Sequence, residues 1–185
     1  TLNITGSPTG GSQTNAYGAW NGSTGTINVT GSPVGGTGSG AAGVRAATGT
    51  INITGAPTGG AATGGAGVYL TGTAGGTING NPVGATGSGA RHSSSGTLAI
   101  TGSTTGGTAG AASVGVLNDG SGTVTVTGAA ISADSPGLGP GIANTGSGYA
   151  TVGSVVTGTS GVSPCVGRVH VADLSTFTAL VRSSS

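Results

Sequence analysis

The chain has 185 residues, of which 44 are Gly, 4% are charged and 3% are aromatic; this composition excludes a core of bulky packed side chains, while its positive mean hydropathy excludes the highly charged type of disordered chain. With no Lys, no Glu and a net charge of +1, long-range attraction to nucleic acid or to an anionic membrane is not expected. No apolar run approaches the ~20 residues that a membrane helix needs.

The first element is a strand at Leu2-Asn3-Ile4-Thr5-Gly6, and the same unit returns as Ile27-Asn28-Val29-Thr30-Gly31, Ile51-Asn52-Ile53-Thr54-Gly55, Leu98-Ala99-Ile100-Thr101-Gly102 and Val124-Thr125-Val126-Thr127-Gly128. A degenerate copy is read at Ile78-Asn79-Gly80 and a weaker one at Ala150-Thr151-Val152-Gly153. The repeats therefore start at 2, 27, 51, 78, 98, 124 and 150. A near-constant period with small length changes is the signature of stacked coils, each covering the one below while its loops vary.

Within each unit polar and β-branched residues alternate, as in a strand with one buried face. Stacking the copies predicts one inward ladder of Leu2, Ile27, Ile51, Ile78, Leu98 and Val124, and a second of Ile4, Val29, Ile53, Ile100 and Val126. The outward residues Thr26, Asn28 and Thr30, with Thr50, Asn52, Thr54, Thr123, Thr125 and Thr127, form ladders of like polar groups able to hydrogen-bond along the stack.

Each strand runs into a corner carrying Gly and Pro, as in Gly6-Ser7-Pro8, Gly31-Ser32-Pro33 and Gly55-Ala56-Pro57, the punctuation of a turn. A second apolar position recurs at Ala19, Val44, Val68, Ala90, Val116 and Ile142, predicting another short strand per coil. The glycine content then follows from a thin cross-section whose walls approach closely. The expected fold is all-β: a glycine-rich parallel β-solenoid over residues 1–152, with about seven coils of about 25 residues. At ~4.8 Å per stacked strand the rod is roughly 35 Å long.

From about Gly153 the pattern decays, and Arg168-Val169-His170-Val171-Ala172-Asp173 with Phe177 and Leu180 reads as a different strand pair. Residues 153–185 are accordingly expected to be a cap or junction covering the solenoid end. The chain opens at Thr1 with no signal-like segment, which predicts a processed chain or part of a longer one.

The most function-like feature is the position that follows the second inward residue: Trp20, Arg45, Tyr69 and Arg91, continued by Leu117 and Ala143. Stacked coils align them in one outward stripe. Aromatic and guanidinium faces suit a sugar ring or another polypeptide, but the commoner use of such residues is a stacking ladder or a contact between chains of an oligomer.

Other constellations carry less. Gly38-Ser39-Gly40-Ala41-Ala42-Gly43 matches a dinucleotide fingerprint, but no helix pattern follows it. His92 and His170 are far apart and the acids are Asp119, Asp134 and Asp173, so no catalytic residue, metal site or cofactor is assigned. Cys165, His170 and Asp173 share one short segment and list a nucleophile, base and orienter by inventory, not by geometry. The lone Cys165 reads as a small apolar residue. The glycosylation patterns at Asn3, Asn28 and Asn52 are simply the repeat strand, and a fourth lies at Asn21.

The units at residues 25–31 and 49–55, each leading through Pro to Gly-Gly, resemble the glycine-rich repeats of bacteriophage tail, neck or head fibres, and also the repeat stalks of bacterial surface adhesins. The resemblance covers about residues 1–150 and carries over no binding residue. It implies a non-enzymatic structural fibre segment on the virion exterior, a homo-oligomer, most simply a trimer, with other virion or surface proteins and a host-surface glycan as partners. Whether each chain closes its own solenoid or three chains share one axis stays open. The alternatives are a secreted adhesin or extracellular matrix filament and, from the Thr-x-Asn-x-Thr hydroxyl array, an ice-binding solenoid.

Overall fold

The computed structural model describes residues 1–108, 113–132 and 140–153, together with the backbone of strands Val156–Thr157, Cys165–Gly167 and Val169–Val171. All regular elements among the described residues are β-strands. Every strand pairing is parallel, and the strands follow chain order from coil to coil, so one chain closes its own β-solenoid of about six turns.

Three walls make each coil. The first sheet stacks Leu2–Thr5, Thr26–Thr30, Thr50–Thr54, Gly75–Asn79, Thr97–Thr101, Thr123–Val126, Tyr149–Val152 and Val169–Val171. The second stacks Ala19–Asn21, Val44–Ala46, Val68–Gly72, Ala90–Ser94, Val116–Asn118, Ile142–Asn144 and Cys165–Gly167. The third is narrower: single bridges join Thr9, Val34, Thr58, Val83 and Thr105, and Thr104–Thr105 continues to Ala130–Ile131 and Val156–Thr157. Pro33, Pro57 and Pro82 line the inside of this wall. Their carbonyls accept from Thr58, Val83 and Thr105 of the next coil, a ladder that asks nothing of the missing proline N–H.

The alternating strands bury the expected columns. Ile27, Ile51, Leu98 and Val124 form one, Val29, Ile53, Ile100 and Val126 the next, and Ala19, Val44, Val68, Ala90, Val116 and Ile142 meet them from the second sheet. Burying a side chain of this size contributes about 2 kcal/mol, so the small cross-section is held by many modest increments. Leu2 shares the first column but is 53% exposed, because a coil covers it on one side only.

Ile78 departs from its expected place. It pairs with Ile53 and Ile100, in the second inward column, while Gly76 takes the position opposite Ile51 and Leu98. The corner sets this register: Gly80 has φ +156°, matching Gly55 at +145° and Gly102 at +144°, a conformation that L side chains rarely adopt. Aligned on that glycine, Ile78-Asn79-Gly80 corresponds to Ile53-Thr54-Gly55, and the first-column residues step from 51 through 76 to 98.

Close approach of walls accounts for another glycine column. A Cβ on Gly18, Gly43, Gly67, Gly89 or Gly115 would come within 2.6–2.7 Å of a backbone atom. At Gly43 those atoms are the Thr58, Gly67 and Pro33 carbonyl oxygens, so the second sheet begins where it touches the third wall.

Of the expected C-terminal strand pair, the part with Phe177 and Leu180 lies outside the described residues. Val169–Val171 joins the first sheet beside Tyr149–Val152, and Cys165–Gly167 joins the second beside Ile142–Asn144. Backbone pairing is indifferent to side-chain size, so the solenoid pairing persists where the sequence repeat fades. The remainder of the expected cap or junction lies outside the described residues.

Candidate functional site

The outward stripe is assembled by strand register. Trp20 lies opposite Arg45, Arg45 opposite Tyr69, Tyr69 opposite Arg91, and Arg91 opposite Leu117. Ala143 follows in register but is buried, so the exposed column stops short of it.

The four predicted residues are not equivalent. The Arg45 guanidinium lies between two phenol rings, 5.1 Å from the Tyr17 centroid and 5.3 Å from that of Tyr69. Arg91 stacks on Tyr69 at 5.0 Å. Each such contact contributes about 0.5–1 kcal/mol at an exposed site, and together they tie four coils along one line. Arg91 Nη2 also meets Asp119 Oδ2 at 2.8 Å, and the Ser93 hydroxyl donates to Asp119 Oδ1. Arg45 Nη1 donates to the Tyr17 hydroxyl, and no carboxylate pairs with Arg45 among the described residues. Trp20 is 59% exposed and tilts at 54° to Tyr17, centroid to centroid 6.2 Å. Tyr17 was not anticipated, although Tyr17-Gly18-Ala19-Trp20 puts two aromatics in one coil of a chain with few.

A polar column inside the second sheet was also missed. Asn21, Ala46, Leu70, His92, Asn118 and Asn144 align in register, and Asn21, His92, Asn118 and Asn144 are buried. Asn21 donates to the carbonyl of Gly25, Asn118 to Gly122 and Asn144 to Gly148. Asn21 and Asn118 donate again, to Thr50 and Tyr149 of the following coil. Each amide thus supplies donors to carbonyls at the corner between second and first sheets, where Gly25 also accepts a coil-to-coil bond from the Thr50 N–H. The signal is the spacing Asn-x-x-x-Gly at 21–25, 118–122 and 144–148.

His92 replaces asparagine in this column. Asn118 spends its NH2 on two carbonyls, so its Oδ1 accepts from His92 Nδ1 at 2.9 Å, which fixes the proton on Nδ1. Nε2 is buried and finds no partner of good geometry. Burial pushes the imidazole below its usual 6.5, against opposing pulls from the Asn118 side chain, the Asp119 charge and the Gly96 backbone.

The first sheet presents a different surface. Asn28 donates to Asn3 at 2.8 Å, Asn52 to Asn28 at 3.0 Å, and the Thr77 hydroxyl to Asn52 at 2.9 Å, so the expected polar ladder forms. Thr30, Thr54 and Thr101 line one of its borders, interrupted by Asn79, and Thr26 and Thr50 the other, interrupted by Gly75 before Thr97 and Thr123.

Among the described residues no group of three His, Cys, Asp or Glu side chains gathers to hold a metal. Cys165 and His170 belong to different sheets, and Asp173 lies outside the described residues, as does Asp134. No described helix is long and apolar enough to cross a membrane.

Fold and surface together define the class: a parallel β-solenoid with one hydrogen-bonded polar face and one aromatic-guanidinium column. No protein family, curated protein or solved structure matches the chain.

Proposed function

We propose that the chain is a structural segment of a bacteriophage virion fibre, displayed on the particle exterior, homo-oligomeric and most simply trimeric, with a share in host-surface attachment. The observation that carries this reading is the single-axis stack. Three parallel walls bond each coil to the coils before and after it, an arrangement that gives reach and stiffness and can be lengthened coil by coil. The repeat resemblance supplies the virion setting, and other virion proteins and a host glycan are the corresponding partners. We assign no catalytic activity: the described carboxylate, Asp119, is engaged by Arg91 and Ser93.

The same stack serves a secreted adhesin or an extracellular matrix filament, for which the bacterial surface replaces the virion. An ice-binding role would use the Thr and Asn columns of the first sheet. Its support is weaker, because the central amides already bond to one another.

The test is the particle mass in solution by light scattering, with electron microscopy of the same sample. A trimer or filament is the expected result. A compact monomer overturns the fibre reading, and thermal hysteresis of freezing in that monomer would establish the ice-binding one.

A further inference from the structure

We infer that the patch formed by Tyr17, Trp20 and Arg45 binds an acidic saccharide, an inference that rests on the surface-attachment part of the function proposed above. Trp20 projects from a solvent-facing strand position and stays 59% exposed. Its indole lies over Gly22: a Cβ placed there would meet Cζ2 at 3.0 Å, Cε2 at 3.3 Å and Cη2 at 3.5 Å. Such similar distances to neighbouring ring atoms put the glycine under the ring face, not at its edge. One face of the indole is therefore backed by the coil and the other is open. Tyr17 adds a second ring to the patch, tilted 54° to the indole with the centroids 6.2 Å apart.

Charge supplies the second half. Arg91 and Arg45 occupy the same column, and Arg91 is matched by Asp119 at 2.8 Å. Arg45 has no such partner among the described residues; its Nη1 is held by the Tyr17 hydroxyl and its Nε is buried, which leaves Nη2 for a ligand. Stacked between Tyr17 and Tyr69, the guanidinium is held in place beforehand, which lowers the ordering cost of binding. A pyranose lays its C–H face on an aromatic ring, and a carboxylate on that sugar would accept a charge-assisted bond from Arg45. A protein partner fits less well. The neighbours Gly22, Ser23 and Thr24 are small and exposed, whereas a stable protein interface needs ~800 Å² per side with an apolar centre.

Trp20 is the sole tryptophan of the chain, so its emission reports on this patch alone. The protein is titrated with a short oligogalacturonate and, separately, with the uncharged galactose oligomer of the same length. The expected result is a saturable emission change with the acidic sugar and at least ~10-fold weaker binding of the neutral one, the worth of one charge-assisted bond. Arg45→Gln should bring the acidic sugar down to the neutral affinity. Trp20→Ala, which removes an exposed side chain, should keep its melting temperature and lose the heat of binding in calorimetry.

The inference is overturned by an emission that does not respond to either sugar, by equal affinity for both, or by binding that survives Trp20→Ala. It is also overturned if emission shifts with protein concentration alone, since a second copy of the chain would then cover the patch. Particle mass, measured without sugar, keeps the two questions apart. A trimer whose Trp20 is silent sinks only the saccharide site, and a sugar-binding monomer sinks only the fibre.

Discussion

On the outer face of the first sheet, Asn3, Asn28, Asn52 and Thr77 pass hydrogen bonds from coil to coil between like groups. On the outer face of the second, Tyr17, Arg45, Tyr69 and Arg91 alternate ring and cation. The interiors differ as well. Behind the first sheet the columns are aliphatic, whereas the second sheet carries buried Asn21, His92, Asn118 and Asn144 at its edge. The first sheet repeats one pattern with few departures, at Gly75, Gly76, Asn79 and Ala99; the second changes from coil to coil on the same backbone ladder. Stiffness comes from the part that repeats, and chemical individuality is confined to the part that does not.

The largest break of this contrast should come from reversing inside and outside on one strand. Ile53 is fully buried and Asn52, its neighbour, faces out. Ile53→Asp puts an unpaired charge into the interior, at a cost of several kcal/mol, and should abolish the cooperative melt seen by circular dichroism. Asn52→Asp, one residue away, should change stability by less than about 1 kcal/mol, the scale of a single exposed hydrogen bond. A folded Ile53→Asp protein would show that the inward assignment is wrong.

Next in size is the buried amide column. Asn118→Ala strands the carbonyls of Gly122 and Tyr149 and the Nδ1–H of His92, and leaving buried polar groups unmet costs about 1–3 kcal/mol each. A loss of about 3 kcal/mol in denaturant melts is expected. Asn28→Ala, which removes an amide from the exposed ladder, should cost about 0.5 kcal/mol. Equal losses in the two variants would erase the distinction between the faces.

These two sheets also differ in how far the sequence revealed them. The first-sheet strands, their inward columns and their polar ladder were legible because side-chain identity repeats with strand periodicity. Even there Ile78 was placed two residues out of register: the Ile-Asn pair looked like a strand start, and the conformational demand of the corner glycine at 80 outweighed it. The Trp20 to Arg91 column was legible too, since counting from the apolar second-sheet position sufficed to align it. What the spacing could not convey was pairing within that column, namely that Asp119 takes Arg91 and leaves Arg45 to the rings. Nor did it reveal the Asn118 amide, because an Asn beside Gly and Ser reads as an ordinary turn residue. Its burial follows from the closing of the second sheet onto the first, where it meets His92, Gly122 and Tyr149.

A smaller effect, with a definite sign, concerns His92. Its folded pKa is lowered by burial, so below pH 6.5 the unfolded chain takes up a proton that the folded chain still refuses. Stability is then complete above 6.5 and falls as the pH drops from there toward the folded pKa. The melting temperature should accordingly fall between pH 7 and pH 5. His92→Asn matches Asn118 and Asn144, keeps a donor aimed at the corner, and should flatten that dependence. A wild-type melting temperature that rises on acidification would contradict the burial-dominated account.

The smallest effect expected is that of salt. Arg91 and Asp119 form the ion pair of the described surface, with side chains 42% and 26% exposed, and such pairs contribute under about 1 kcal/mol. Cation–π contacts of Arg45 and Arg91 are screened less than separated charges are, since each cation touches its ring. The remaining stability resides in backbone ladders, small-residue packing and the amide columns, none of which carries net charge. Raising sodium chloride from low to molar concentration should therefore leave the melting temperature nearly unchanged, and Asp119→Asn should remove most of whatever shift is seen. A steep loss of stability in salt that survives Asp119→Asn would mean that charge, and not the repeated neutral ladders, holds the coils together.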